Sequence, residues 1–373
     1  MLFFFIGTKA QYVKTAPVLL ELNKRNIEYV LIDSGQHSQL SKKFRKSFGI
    51  KEPDLSLRHG KDDIATFLTA FFWIATFFLK GFLFKNRVSR EIFQNKKGIC
   101  IIHGDTPTTL LSIFLAKRAG LKVAHLESGL RSHNLLHPFP EEFIRIVSMK
   151  FSDYLVSSHD KYSQNIKKLR CKGKVIHVSE NTNIDSVRYA LSRLQKTDIN
   201  LKKPYVLVSI HRFESIYSKR RMKFILNHII NISKTITVLF CVHPPTKIRL
   251  EKYGFYRLLG SEENITLTSL LDYEQFLQYQ RGAEFIITDG GSIQEESYYF
   301  GIPCLLLRKK TERIEGLTEN VLLSGFDDDK INYFLKNYRQ FRKKDHLNIR
   351  VFPSLKIVDA LVNLHNQMIN NLA

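Results

Sequence analysis

Three clusters in the first half of the chain put carboxylates where chemistry could be done. His103-Gly104-Asp105-Thr106 follows one apolar run, and Glu127-Ser128-Gly129-Leu130-Arg131 follows another. Pro138-Phe139-Pro140-Glu141-Glu142 then opens a helical stretch, with Arg145 one turn further on. Paired carboxylates in a partly desolvated cleft tune one another apart, so that one serves as acid and the other as base. Asp105, Glu141 and Glu142 would also suit ordinary capping work at helix starts. Three such clusters are more than capping requires.

Three further motifs suit an anion. Gly7-Thr8-Lys9-Ala10-Gln11-Tyr12-Val13-Lys14 turns from a strand into a helix, whose N-terminus attracts negative charge, and Lys9 and Lys14 add cations. Ser209-Ile210-His211-Arg212 follows a strand in the second half, where His211 and Arg212 could face a diphosphate. Thr288-Asp289-Gly290-Gly291-Ser292 opens another helix, and its backbone N–H groups could cradle a phosphate without a lysine. Glu296, one turn in, could accept hydrogen bonds from ribose hydroxyls. No Walker A motif is present, which argues against ATP chemistry.

Such groups need a scaffold, and the apolar pattern predicts one. Runs at 2–6, 29–33, 98–103, 122–126 and 154–157 read as buried parallel strands. So do those at 205–209, 237–242, 285–288 and 303–307. Helical stretches alternate with them, which predicts an α/β protein with doubly wound sheets and polar motifs at the strands' carboxyl ends. A length of 373 residues suits two domains. The polar, Lys-rich segment around 170–181 sets their expected limits at 1–172 and 173–354. A terminal helix within 355–373 is expected to pack back on the first domain. The four cysteines, Cys100, Cys171, Cys241 and Cys304, show no zinc or redox spacing and fit a reducing cytoplasm. The net charge of +22 suits an anionic partner or substrate, but no nucleic-acid motif accompanies it.

Taken in order from Gly7 to Gly325, these motifs resemble the non-hydrolysing UDP-N-acetylglucosamine 2-epimerases. That resemblance implies a GT-B-like architecture, two Rossmann-like domains facing a cleft, with a UDP-sugar as partner and no cofactor or metal. It implies elimination of UDP to a 2-acetamidoglycal and re-addition with inversion at C2, for surface polysaccharide synthesis. Asp105, Glu127 and Glu141 fall on the family's catalytic acids, and His211 on its catalytic or phosphate-facing histidine. Lys9, Lys14, Arg145, Asn181, Phe276, Gly290, Gly291, Ser292, Glu296 and Arg313 fall on substrate-binding positions. Phe276 aligns near the uracil and Glu296 with the ribose. Gln36, His37 and Gln39 match a region where some bacterial relatives bind a second nucleotide sugar.

The chain departs from the family at Lys9-Ala10-Gln11, where Arg-Pro-Glu is usual. A branch acting on diacetamido uronic acid nucleotides also carries glutamine there, which points to a modified sugar. The usual Asp-Ser-Gly-Gly has become Asp289-Gly290-Gly291-Ser292. Other readings are a hydrolysing epimerase of the same fold, a UDP-sugar glycosyltransferase and a non-catalytic nucleotide-sugar-binding protein. The hydrolysing enzymes lack the Glu-x-Gly-Leu-Arg to Pro-Glu-Glu pairing seen here.

One stretch lies outside this pattern. Residues 65–84 read ATFLTAFFWIATFFLKGFLF, with Lys80 as the one charge. A membrane span here would separate Lys9 from Asp105, so a buried helix is expected, either in the core or at a homodimer interface. The alternative is an interfacial helix, helped by Lys85, Arg87 and Arg90, at the inner face of a membrane.

Overall fold

The run Leu2–Ile6 (LFFFI) is buried along its whole length, as a strand covered on both faces must be. It is β1 of a parallel sheet in a computed structural model that describes residues 1–58, 76–78, 82–135, 140–193, 201 and 203–370. β2 (Tyr29–Asp33), β3 (Leu55–Ser56), β4 (Ile99–His103), β5 (Lys122–Leu126), β6 (Tyr154–Ser157) and β7 (Lys174–His177) complete that sheet. Among the described residues the order is β3-β2-β1-β4-β5-β6-β7. Phe3 and Phe5 pack with Phe93, Leu111 and Leu115 in one core cluster.

A second sheet repeats the plan. β8 (Tyr205–Ser209), β9 (Thr237–Cys241), β10 (Ile265–Thr268), β11 (Phe285–Thr288), β12 (Cys304–Leu306) and β13 (Val321–Leu323) run parallel. Their order is β10-β9-β8-β11-β12-β13. Val206, Val208, Phe240 and Ile287 join Ile225 and Ile229 in its core. In each sheet the order reverses beside the first strand, at β1/β4 and at β8/β11. Crevices outside the strands' carboxyl ends at such reversals are where ligands bind in open α/β sheets.

The chain divides into Met1–Ser186 with Arg350–Ala373, and Val187–Ile349. The expected limit was 172/173. β7 lies beyond it and pairs in parallel with β6, Tyr154 against Lys174, so the first unit runs on through Ser186. The helix Pro353–Asn370 belongs to the first unit and packs on the helix Lys9–Lys24. Asp185 anchors its start by accepting from the Ser354 N–H at 3.0 Å and hydroxyl at 2.5 Å. Most of the 65–84 stretch lies outside the described residues. Of its described part, Phe78 stacks on Phe114 with ring centroids 4.4 Å apart.

Candidate active site

In the first unit the site begins at the turn after β1. Thr8 caps the helix Lys9–Lys24 in a capping box with Gln11. Gln11 is 1% exposed. Its side-chain oxygen accepts from the N–H groups of Gly7 at 3.0 Å and Thr8 at 3.1 Å. Its amide nitrogen donates to the His103 carbonyl at 2.8 Å and the Thr106 hydroxyl at 2.9 Å. It thus stitches the turn after β1 to the turn after β4. An ionised glutamate could accept the first pair of bonds but not donate the second. Glutamine at this position therefore joins the two turns by accepting from one and donating to the other.

Two acids near the ends of β4 and β5 carry separate cations. Glu127 pairs with Lys14 and accepts from the Asn181 amide at 2.7 Å, while His103 Nε2 lies 4.0 Å from its other oxygen. Its backbone sits at φ +60°, a left-handed conformation that costs a non-glycine residue about 1–3 kcal/mol and that gathers at functional sites. Asp105 is held by Arg145 Nη2 at 2.5 Å. Buried His125 feels both acids, and its Nε2 lies 2.8 Å from the Gly104 carbonyl; burial pushes its pKa below the ordinary value, against the pull of that bond and both carboxylates. Glu141 is half-buried at the start of the helix Glu141–Phe151. Glu142 beside it is fully buried, where the Ser132 N–H, Arg131 and Arg145 overcome the effect of burial and hold its carboxyl below the usual range. Pro138 and Phe139 lie outside the described residues.

Lys9 is half-buried at the first position of its helix. Gln36 accepts from the Thr108 hydroxyl at 2.7 Å, the His37 N–H donates to the Gly7 carbonyl at 2.8 Å, and Gln39 is exposed.

In the second unit the motifs gather at the β8/β11 reversal. Asp289 is fully buried and accepts from the N–H groups of His211 at 3.0 Å and Arg212 at 2.9 Å. Burial nonetheless pushes its pKa up. The His211 ring stacks on His243, centroids 4.4 Å apart, and is about a third exposed, at 35%. Its pKa is pushed down to about 4 by loss of hydration and by Arg212 and Arg308, so the ring is neutral at pH 7.

Gly290 and Gly291 begin the helix Gly291–Phe300 and leave room for these side chains. A Cβ at Gly290 would lie 3.0 Å from the His211 ring, and one at Gly291 would lie 2.9 Å from Arg313 Nε. Ser292 is half-buried beside them. Arg313 donates to buried Glu295 at 2.9 Å. Glu296 is buried, accepting from Tyr273 at 3.0 Å and Gln280 at 2.6 Å, and half-buried Phe276 shares their helix, Tyr273–Gly282.

Sequence reading missed the partners: His125, Asp289 as the holder of His211, Glu295, Tyr273 and His243. His243 had a usable signal, because it follows β9 near its carboxyl end much as His211 follows β8.

The sequence profile described as UDP-N-acetylglucosamine 2-epimerase matches residues 20–349. A UDP-N-acetylglucosamine 2-epimerase homolog of Methanococcus maripaludis is 28% identical over 96% of this chain and 98% of its own length. The UDP-N-acetylglucosamine 2-epimerase of Bacillus subtilis is 28% identical over 88% of this chain and 84% of its own. Among solved structures, the Methanocaldococcus jannaschii UDP-GlcNAc 2-epimerase in complex with UDP-GlcNAc and UDP superposes with a TM-score of 0.84. It is 26% identical and covers 97% of this chain and 99% of that one. The GT-B-like fold, the strand-end acids and the profile match agree: this chain belongs to the UDP-N-acetylglucosamine 2-epimerase family.

Proposed function

We propose that the protein interconverts the C2 epimers of a UDP-linked 2-acetamido sugar by eliminating and re-adding UDP. The observation that carries this is the pair of acids in the first unit, each with its own cation: Glu127 with Lys14, and Asp105 with Arg145. A carboxylate removes the C2 proton, the C1–O bond breaks, and its electrons leave with UDP as C1 and C2 become doubly bonded. Return of UDP to C1 and of a proton to the other face of C2 completes the exchange, with no net redox change. The C2 proton has no adjacent carbonyl, so the base must be held in place and the leaving diphosphate strongly stabilised. Asp105, Glu127 and Glu141 divide the proton work. His211, Arg313 and the N–H groups at Gly290, Gly291 and Ser292 take the diphosphate; Phe276 and Glu296 take the nucleoside.

Proton NMR of the purified protein with UDP-N-acetylglucosamine in deuterated water tests this. Deuterium is expected at C2 of the UDP-sugar. Release of free sugar would point to the hydrolysing reaction, and an unlabelled, unchanged sugar would sink the epimerase reading.

For location we propose peripheral contact with an anionic membrane at the cytoplasmic face. No helix among the described residues is long and apolar enough to cross a membrane. Phe82, Leu83 and Phe84 are all more than half exposed, as is Phe151. Phe151 lines an apolar cleft of about 480 Å³ with Phe78, Phe114 and Phe143, Lys117 and Arg118 are among its walls, and Arg118 donates to the Phe82 carbonyl at 3.0 Å. Exposed Lys85, Arg87 and Arg90 follow directly, and each basic residue adds about 1 kcal/mol at an anionic surface. The protein is expected to sediment with phosphatidylglycerol vesicles at low salt, and Phe82→Ser with Phe84→Ser and Phe151→Ser to release it without unfolding. Wild type that stays in the supernatant as a dimer, and becomes monomeric in that variant, would assign the surface to a second copy instead.

A further inference from the structure

We infer that Glu142 is a positioning residue that aims Arg145 at Asp105; the inference rests on the epimerase reading above. Glu142 lies in the first turn of Glu141–Phe151, three residues before Arg145, a spacing that puts both on one helix face. It is 0% exposed, and its two oxygens meet three donors. Arg131 Nε donates to Oε1, while the Ser132 N–H at 2.9 Å and Arg145 Nη1 at 3.3 Å donate to Oε2. The other terminal nitrogen of Arg145, Nη2, lies 2.5 Å from Asp105 Oδ2. A guanidinium is a rigid plane, so fixing one of its nitrogens fixes the direction of the other. Arg131, Glu142, Arg145 and Asp105 therefore form a row of alternating charge that ends on an acid.

The same carboxylate ties the segment after Glu127 to the helix that starts with Glu141, through its bonds to Arg131 and Ser132. One buried group thus braces the surroundings of all three acids. A capping role alone would require neither the Arg145 contact nor full burial.

The test uses the full chain as Glu142→Gln, Arg145→Ala and the double variant, with Glu142→Asp in place of Glu142→Gln should the latter not fold. Turnover in Glu142→Gln is expected to fall about 10-fold with KM nearly unchanged, the pattern of a lost transition-state interaction. The acid limb of its pH profile is expected to move up, because a carboxylate that loses a neighbouring cation holds its proton more tightly. In the Arg145→Ala background the same change should cost less than about twofold, since residues that act through one another are not additive. A crystal structure of the Glu142 variant should show Arg145 turned away from Asp105. Multiplicative losses, or an Arg145–Asp105 contact kept intact in that crystal, overturn the inference. The crystal result decides it even if the wild type places no deuterium at C2, an outcome that sinks the epimerase reading separately.

Discussion

Asp105→Asn, Glu127→Gln and Glu141→Gln are each expected to lower turnover by about 100-fold or more, the scale of a lost acid or base group. The substitutions keep size and hydrogen-bonding shape and remove the charge. Asp105 is the simplest case, because its side chain is a quarter exposed and Arg145 stays braced by Glu142 when it is neutralised. Glu127 is the more demanding one. Neutralising it leaves Lys14 nearly buried without its carboxylate, so some stability is lost along with activity. Thermal unfolding measured on the same samples separates the two effects. Variants that stay folded and turn over at the wild-type rate would remove the acids from the mechanism.

Arg313→Ala and His211→Ala should each weaken UDP binding about 10-fold or more in calorimetry, the worth of one to two hydrogen bonds to a charged group. The two differ in their side effects. Arg313 answers Glu295, a carboxylate with no exposure, so its removal leaves a buried charge and should cost about 3 kcal/mol of stability. His211 is neutral and stacked on His243, and its loss should leave folding nearly unchanged. The ring is uncharged at pH 7 without ligand, and a diphosphate beside it would pull its pKa up, so any pH dependence of the His211 share of UDP affinity should be a gain as pH falls. Wild-type affinity in both variants would move the diphosphate to another place.

The central strands were legible in the sequence because a strand covered on both faces must be apolar throughout, as LFFFI at β1 and YVLVS at β8 are. Among the described residues four strands were not: β3, β7, β10 and β13. They are the four sheet edges. An edge has water on one side, so it needs no apolar run, and KVIH at β7, with Lys174 and His177 exposed, reads as linker. The expected domain limit fell just before it. The acids were legible because strand-end carboxylates stand out by type. Which cation answers which acid was not, because Lys14 and Glu127 are 113 positions apart and no local period joins them. Gln11 was legible as a departure from a pattern but not as a stitch between two turns, since its partners His103 and Thr106 lie far along the chain.

The division of the chain also sets an order of events during synthesis. Residues 187–349 form one uninterrupted unit, whereas the other is written in two pieces, on either side of it. On a ribosome the inserted unit has all its described strands once residue 323 has emerged. The helix Lys9–Lys24, made long before, must wait with part of its surface uncovered until Pro353–Asn370 follows. Exposed apolar surface on a waiting intermediate invites aggregation. The half that carries the acids is thus begun first and finished last.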